Sequence, residues 1–314
     1  QLDLDAPAAR VVPALGEVKV LSGFDASGNP TVRPPKRPIT LRHLLTHSAG
    51  FSYEIWNTDI QKVQAAQGIP GITECKRRAL TTPLLFDPGE RWEYGINIDW
   101  AGKVLEAITG ETLDAYMQKN LLGPLGMRST GYLLRSDIAA RLAGQHQRGS
   151  DGRLVAVPYD PPQRAQDFMG GGGLYGTAGD YIRFILMLLD GGTLDGVRVL
   201  KPETVALMGQ NHIGAVSVPA LKSALPRSAD FTFIADGRDK WGLGFLITVD
   251  QVPGKRSPGS LSWGGINNTF FWIDPTRGIA GVIMMQYLPF ADAKALAVYD
   301  TFERGTYQLV NAKR

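Results

Sequence analysis

Residues 261–274 read LSWGGINNTFFWID, and the interpretation of this stretch decides the fold. Apolar and aromatic residues run to Trp263 and resume at Phe270, Phe271, Trp272 and Ile273, with two glycines and a short polar turn between them, which reads as strand, interruption, strand. Glycine inside a strand has no side chain and lets a ligand or another backbone come close, so Gly264 and Gly265 point to a sheet edge where something binds. In isolation the same pair fits a hairpin turn with a bulge. The rest of the chain has to separate the two readings.

The chain has 314 residues, 44% hydrophobic, 20% charged and 9% aromatic, enough for one large domain or two modest ones with a substantial core. A net charge of +3 with scattered basic residues gives no electrostatic footprint for nucleic acid, so the expected partner is a small molecule. One cysteine, Cys75, excludes an internal disulfide framework and a multi-cysteine metal site; its neighbours Lys76, Arg77 and Arg78 read as a basic exposed helix, and the thiol as an ordinary one. No apolar run approaches the roughly 20 residues of a membrane span, so no membrane is expected among the partners. Gln1 opens directly into LDLDAP with no leader pattern, which reads as an internal starting point and leaves localisation open.

From Gln1 to Pro38 the text is loop-like, punctuated by Pro7, Pro13, Pro30, Pro34, Pro35 and Pro38. Thr40 is a predicted N-cap for a helix over Leu41 to His47, and a second helix is expected from Ile72 to Leu80. Helices follow over Ile98 to Ile108, where Ala101, Val104, Leu105 and Ile108 recur at helical spacing, and over Leu113 to Asn120. Residues 133–168 are polar and expected as surface loop. Helices are then expected over Gly179 to Leu189 and Pro202 to Met208, strands over Trp241 to Val249 and Ile279 to Gln286, and a terminal helix over Ala291 to Leu309. Helices in the middle and strands late favour an α+β fold over alternating βαβ units.

Several motifs compete for chemistry. His43 and His47, four apart, would share one helix face as a zinc pair does, but Leu44, Leu45 and Thr46 supply no glutamate base, so each ring is expected to be structural and no metal is predicted. GGGLYG at 171–176 matches a G-x-G-x-x-G string, yet the polar QRAQDFM precedes it where a dinucleotide site needs an apolar strand; a turn beside a cleft is the better reading. No G-x-S-x-G elbow occurs. Tyr94, in RWEYGINIDW, is either a packed aromatic or a phenol presented into a cleft, and no lysine stands at a fixed local spacing to lower its usual pKa of about 10.

Taken together, these segments resemble the serine β-lactamase-like superfamily, most closely its carboxylesterase branch, the family VIII esterases. The resemblance runs in order through LDLDAP (2–7), LRHLLTHSAGF (41–51), F-x-P-G-x-x-W-x-Y (86–94), GPLGMRSTGY (123–132), GGGGLYGTAGDYIRF (170–184) and SWGG (262–265), nearly the whole chain. It implies a β-lactamase/penicillin-binding-protein-like fold over 1–314, with a helical region at roughly 41–180 and an antiparallel sheet with the terminal helix at roughly 240–314. It also implies an acyl-enzyme mechanism with a serine nucleophile served by lysine and tyrosine, and no cofactor.

Tyr94 matches the tyrosine of the family's Y-x-N motif, although Tyr94-Gly95-Ile96 lacks the asparagine and Asn97 comes one place late. Trp263, Gly264 and Gly265 match the third motif, Lys-Thr-Gly in the lactamases, and the backbone N–H of Ile266 is by the same resemblance an oxyanion donor. Tryptophan in place of that lysine removes a carboxylate-binding cation, which fits neutral esters better than acidic lactams. Phe51, Tyr53, Tyr175 and Trp263 are expected to line the substrate pocket. The expected reaction is hydrolysis of short-chain carboxylic esters; a β-lactamase, a D-amino-acid peptidase and an acyltransferase share every motif quoted.

The first motif, Ser-x-x-Lys, is missing: no lysine here has a serine three residues before it. The expectation is that an N-terminal segment of the same protein carries it, since the helix concerned runs through the centre of the fold and its loss would expose a large apolar surface. A non-catalytic binding protein is the alternative if these residues are the whole polypeptide.

Overall fold

The computed structural model describes residues 3–159, 163, 167–233 and 237–312. A hairpin of β1 (Val20–Phe24) and β2 (Pro30–Arg33) comes first, then α1 (Leu41–Leu45), α2 (Thr58–Gln67), α3 (Asn97–Thr109) and α4 (Leu113–Met117), which continues as a wider π turn over Gln118–Leu122. Next are α5 (Ser136–Ala139), β3 (His146–Arg148), β4 (Leu154–Ala156), α6 (Ala178–Leu189), the short pair β5 (Thr193–Leu194) and β6 (Val197–Arg198), and α7 (Pro202–Met208). The chain ends with β7 (Lys240–Trp241), β8 (Leu246–Ile247), β9 (Leu261–Gly265), β10 (Thr269–Asp274), β11 (Ile279–Ile283), β12 (Tyr287–Leu288) and α8 (Ala293–Ala312).

The main sheet has the antiparallel order β11-β10-β9-β8-β7. Strand β10 explains its layering. Its apolar run is continuous because both faces are covered. Phe270 and Trp272 join the cluster containing Tyr299 and Tyr307 of α8, while Phe271 and Ile273 join Ile185, Met187 and Leu188 of α6. One helix therefore lies on each face of the sheet, as the period-2 alternation of a strand requires. Opposite Trp272 stands Gly281, where a Cβ would come within 2.2 Å of the indole, so the glycine on β11 is the space the tryptophan occupies. Helix α8 is started by Asp292, whose Oδ1 accepts from the backbone N–H of Lys294 and Ala295.

The hairpin β9–β10 pairs Gly265 with Thr269, Gly264 with Phe270 and Trp263 with Phe271 without a shift in register. There is no bulge. The glycines are instead required across the pair: a Cβ on Gly264 would sit 2.9 Å from the Phe270 ring, and one on Gly265 would sit 2.4 Å from Thr269 Oγ1. Along β9, strand β8 reaches only Leu261 and Ser262, and no strand among the described residues pairs with residues 263–265 on that side.

Five local expectations are corrected. The single strand over Trp241 to Val249 is a tight hairpin, β7 and β8, because Gly242 presses on the Met208 carbonyl, where a Cβ would lie 2.1 Å away, and Gly244 takes φ +95°. The loop-like first 38 residues contain β1–β2, whose turn is closed by Asp25 Oδ1 accepting from the N–H of Ser27 and Asn29. The helix over Ile72 to Leu80 is two 3₁₀ turns separated by Cys75 at φ +52°. Residues 133–168 hold α5 and the strands β3 and β4, which add to β12, while 160–162 and 164–166 lie outside the described residues. Helix α1 stops at Leu45, and His47 has φ +54°, so His43 and His47 do not share a helix face. His43 Nδ1 accepts from the Thr40 N–H in a capping box, whereas His47 is bonded to the side chain of Asn97.

Candidate active site

Two chain segments meet at Tyr94. The turn at Asp87 is fixed by Arg33, which makes two hydrogen bonds of 2.9 and 2.7 Å to the Asp87 carboxylate, and the chain then extends through Trp92 and Tyr94 before α3 begins. Beside it runs residues 51–53, with the Tyr53 N–H donating to the Tyr94 carbonyl at 3.3 Å. A Cβ on Gly95 would lie 2.3 Å from Ser52 Cα and 2.5 Å from the Phe51 carbonyl oxygen. Backbone meets backbone there, which is why the residue after the tyrosine is glycine.

Aromatic rings surround the Tyr94 phenol. Its ring centroid is 4.8 Å from His47, 5.2 Å from Tyr53 and 5.0 Å from Trp263, all edge-to-face, and 6.3 Å from Trp92, nearly parallel. Trp263 Nε1 donates to Tyr94 Oη at 3.3 Å. Burial pushes the Tyr94 phenol up to about 12, and the Trp263 hydrogen bond opposes that rise.

Next to the phenol, Tyr53 is joined to Asp99. Tyr53 Oη donates to Asp99 Oδ2 at 2.5 Å, and Asp99 Oδ1 accepts from the Gly171 N–H at 2.9 Å. Burial raises the Asp99 carboxyl above its usual range, with the Tyr53 and Gly171 hydrogen bonds working against it. A Cβ on Gly171 would meet Tyr53 Oη at 2.3 Å and one on Gly170 would meet the Ile98 carbonyl at 2.3 Å. The glycine run therefore lies flush on the first turn of α3 and is a close-contact turn.

The pocket residues expected from sequence separate into groups. Trp263 and Tyr53 stand against Tyr94. Ile266 opens the turn after β9 and is 38% exposed. Phe51 is fully buried and stacked on Trp100 at 6.3 Å, in the core beneath the cleft, so its ring does not reach the wall. Tyr175 is half-buried, its backbone bridged to Gly131 and its hydroxyl accepting from Gln163 Nε2 at 2.8 Å. Sequence reading missed Trp92, Trp241, Phe233 and Asp99. Only Trp92 carried a signal, its i, i+2 spacing to Tyr94, which in an extended segment puts both rings on one side.

His47 is 2% exposed and burial holds its imidazole down to about 3. The folded value is below the unfolded one of about 6.5, so the unfolded chain takes the proton first. Stability from this group is complete above about pH 6.5 and falls as pH drops toward the folded value, by up to about 1.4 kcal/mol per pH unit. His47→Asn, which tolerates the left-handed backbone at this position, is expected to remove that slope. Urea unfolding at pH 7 and pH 5 should show the wild type losing about 2 kcal/mol more than the variant; equal losses would mean that the ring is not held neutral.

The arrangement can hold a phenol next to an open strand edge, in apolar surroundings, with one fixed hydrogen-bond donor. That suits proton transfer at an acyl-transfer centre. Among the described residues no group of three or more His, Cys, Asp or Glu side chains converges as a metal site.

Comparison with known proteins identifies the family and the fold. The Beta-lactamase family matches residues 1–302. Monacolin J acid methylbutanoyltransferase of Aspergillus terreus is 34% identical over 324 residues, covering 98% of this chain and 76% of that protein. Lovastatin esterase of Penicillium rubens is 33% identical over 323 residues, covering 99% and 80%. A mutant form of simvastatin synthase from Aspergillus terreus superimposes with a TM-score of 0.81 at 34% identity, over 99% of this chain and 77% of that one. The fold is shared more widely, as with EstCE1, described as a hydrolase with promiscuous acyltransferase activity, at a TM-score of 0.70, 23% identity and coverage of 95% and 77%. With its fold, its motif order and its relatives all in accord, the chain belongs to the Beta-lactamase family and has the serine β-lactamase-like fold.

Proposed function

We propose that this chain forms most of a serine acyl-transfer enzyme, which takes an acyl group from an ester onto serine and passes it to water or to an apolar alcohol. The observation that carries the reading is the Tyr94 phenol, held 3.3 Å from Trp263 Nε1 where β9 has no second neighbouring strand. In this reading the serine and its lysine come from a segment of the same protein outside the 314 residues. Relatives named for esterase and for acyltransferase activity support both fates of the acyl group.

In this reading the steps are as follows. The serine Oγ attacks the ester carbonyl as its proton passes to the lysine and Tyr94 pair, and the oxyanion is received by the N–H of Ile266 and that of the serine. The carbon–oxygen bond to the leaving alcohol then breaks as the alcohol takes the proton from Tyr94. The acceptor hydroxyl next gives its proton to Tyr94 and attacks the acyl carbon, and serine leaves with its proton restored. Water as acceptor gives a carboxylic acid, whereas an alcohol gives a new ester.

The half-buried rings of Trp263 and Phe233, backed by the buried Trp92 and Trp241, favour an organic acceptor over water, which shifts the expected balance from short-chain ester hydrolysis toward transfer. The test is a partition experiment with the full-length protein. Nitrophenyl butyrate is turned over with and without an apolar polycyclic alcohol, and free butyrate and butyrate ester are quantified. Transfer predicts that the ester exceeds the acid at millimolar alcohol. Free acid alone at every alcohol concentration would restrict the function to hydrolysis, and the absence of an acyl-enzyme mass increment on rapid quenching would remove the acyl-transfer reading.

A further inference from the structure

Trp263 is held more firmly than a pocket wall needs to be. Its ring stacks on Phe233 at 4.7 Å with the planes 23° apart, meets Trp241 edge-on at 4.6 Å, and abuts Trp92 at 6.2 Å. Its backbone is paired with Phe271 in β10. Contacts on several sides leave the indole little rotational freedom, so the direction of its N–H is set by packing.

That N–H points at Tyr94 Oη. An indole nitrogen donates and cannot accept. Tyr94 must therefore accept from Trp263, and its own O–H hydrogen is turned away from Trp263. The other titratable groups around the phenol are already engaged: Tyr53 with Asp99, Asp99 also with Gly171, His47 with Asn97, and Glu93 with Ser52. Among the described residues no other side chain is hydrogen-bonded to Tyr94 Oη.

We propose that Trp263 is a positioning residue of the acyl-transfer site: its indole N–H orients the Tyr94 hydroxyl into the cleft and stabilises the phenolate when that proton moves. This rests on the role given to Tyr94 above. The step is a proton relay: Tyr94 passes its O–H hydrogen to the lysine amine of the proposed pair, the phenolate so formed takes a proton from the serine or acceptor oxygen and gives it to the leaving oxygen, and Trp263 keeps its own hydrogen throughout. A hydrogen bond to an ionised oxygen is stronger than one to the neutral phenol, so the contact gains strength as the phenolate forms. That differential is what accelerates a reaction; equal binding in both states would not.

The experiment uses the full-length protein and a nitrophenyl ester with two replacements at 263: Trp263→Phe, and a genetically incorporated benzothiophene side chain in which sulfur replaces the indole N–H without changing ring shape. Both are expected to lower kcat about tenfold while KM stays within about threefold. The ascending limb of the kcat/KM profile, on which the base loses its proton, is expected to move up by about one pH unit. Wild-type kcat and an unmoved limb in the benzothiophene variant would overturn the proposal, as would a raised KM with the limb unmoved, which would make Trp263 only a wall. Tyr94→Phe run alongside separates the two levels. If it is inactive while the 263 variants behave as wild type, only the role of Trp263 fails; if it remains active, the acyl-transfer reading of Tyr94 fails as well.

Discussion

Tyr94→Phe is expected to lower kcat of the full-length enzyme toward a nitrophenyl ester by about 10²–10³-fold, with KM changed by less than about threefold. The substitution removes a single oxygen. The ring keeps its edge-to-face contacts with His47, Tyr53 and Trp263, so packing around it is preserved. What is lost is the group proposed to accept and return the proton, together with the acceptor for Trp263 Nε1. An unpaired indole N–H at this half-buried place costs about 1 kcal/mol, which a thermal melt would register as a shift of a few degrees at most. The discriminating measurement is kcat with the melting temperature recorded on the same sample. Activity within about threefold of wild type, at unchanged stability, would take Tyr94 out of the mechanism.

The sequence was most informative where one residue type answers one physical demand. Thr40 caps the helix that begins at Leu41 as its side-chain chemistry requires, and the helix over Pro202–Met208 matches its expected limits. The run at 269–274 was legible as strand for the same reason, since an apolar stretch too short for a helix and rich in aromatics has few other uses. Tyr94 and Trp263 could be placed in one site only through the family's motif order, because 169 positions separate them and no local pattern joins them.

Two of the misreadings depended on a contact from elsewhere in the chain. Gly242 breaks a strand because Met208 stands against it, and His47 leaves its helix to face Asn97. Gly264 was weighed as a bulge or as an opening for a ligand; it turns out to be the space in which the Phe270 ring lies. This does not conflict with a binding role, because no strand among the described residues pairs with residues 263–265 on the side of β9 away from β10. Phe51, expected in the pocket, instead lies in the core against Trp100 of α3, a contact 49 positions away that its local spacing does not announce.

A different part of the molecule is expected to give the largest loss of stability. Arg256 is 2% exposed and Glu303, on α8, is fully buried. Arg256 Nε and Nη2 donate to the two Glu303 oxygens at 2.7 and 3.0 Å, the Arg256 backbone N–H adds a bond of 3.2 Å, and the guanidinium also reaches Tyr299 and lies 5.6 Å from the centre of the Trp272 ring. Glu303→Gln keeps the shape and removes the charge, leaving the guanidinium buried without a counter-ion, and is expected to cost about 3–5 kcal/mol. Replacing both partners, Arg256→Met with Glu303→Leu, should recover much of that loss, because the pair's attraction is largely offset by its desolvation.

Acid should act at the same place. Burial works to raise the Glu303 carboxyl, but the hydrogen bonds and charge of Arg256, with Lys255 nearby, outweigh it and hold the group below its ordinary value. A folded value below the unfolded one of about 4.3 means that this stability is present above roughly pH 4.3 and is lost as pH falls through the folded value. The stability gap between wild type and Glu303→Gln should therefore be narrower at pH 3.5 than at pH 7, by about 1 kcal/mol at most, as read from urea midpoints. A loss below about 1 kcal/mol at pH 7 would mean that the guanidinium reaches water once its partner is neutral. Because Trp272 and Phe270 bind α8 to β10, and β10 sets the register of β9, loosening this pair should also reduce ester turnover through Trp263, at a temperature below the melt.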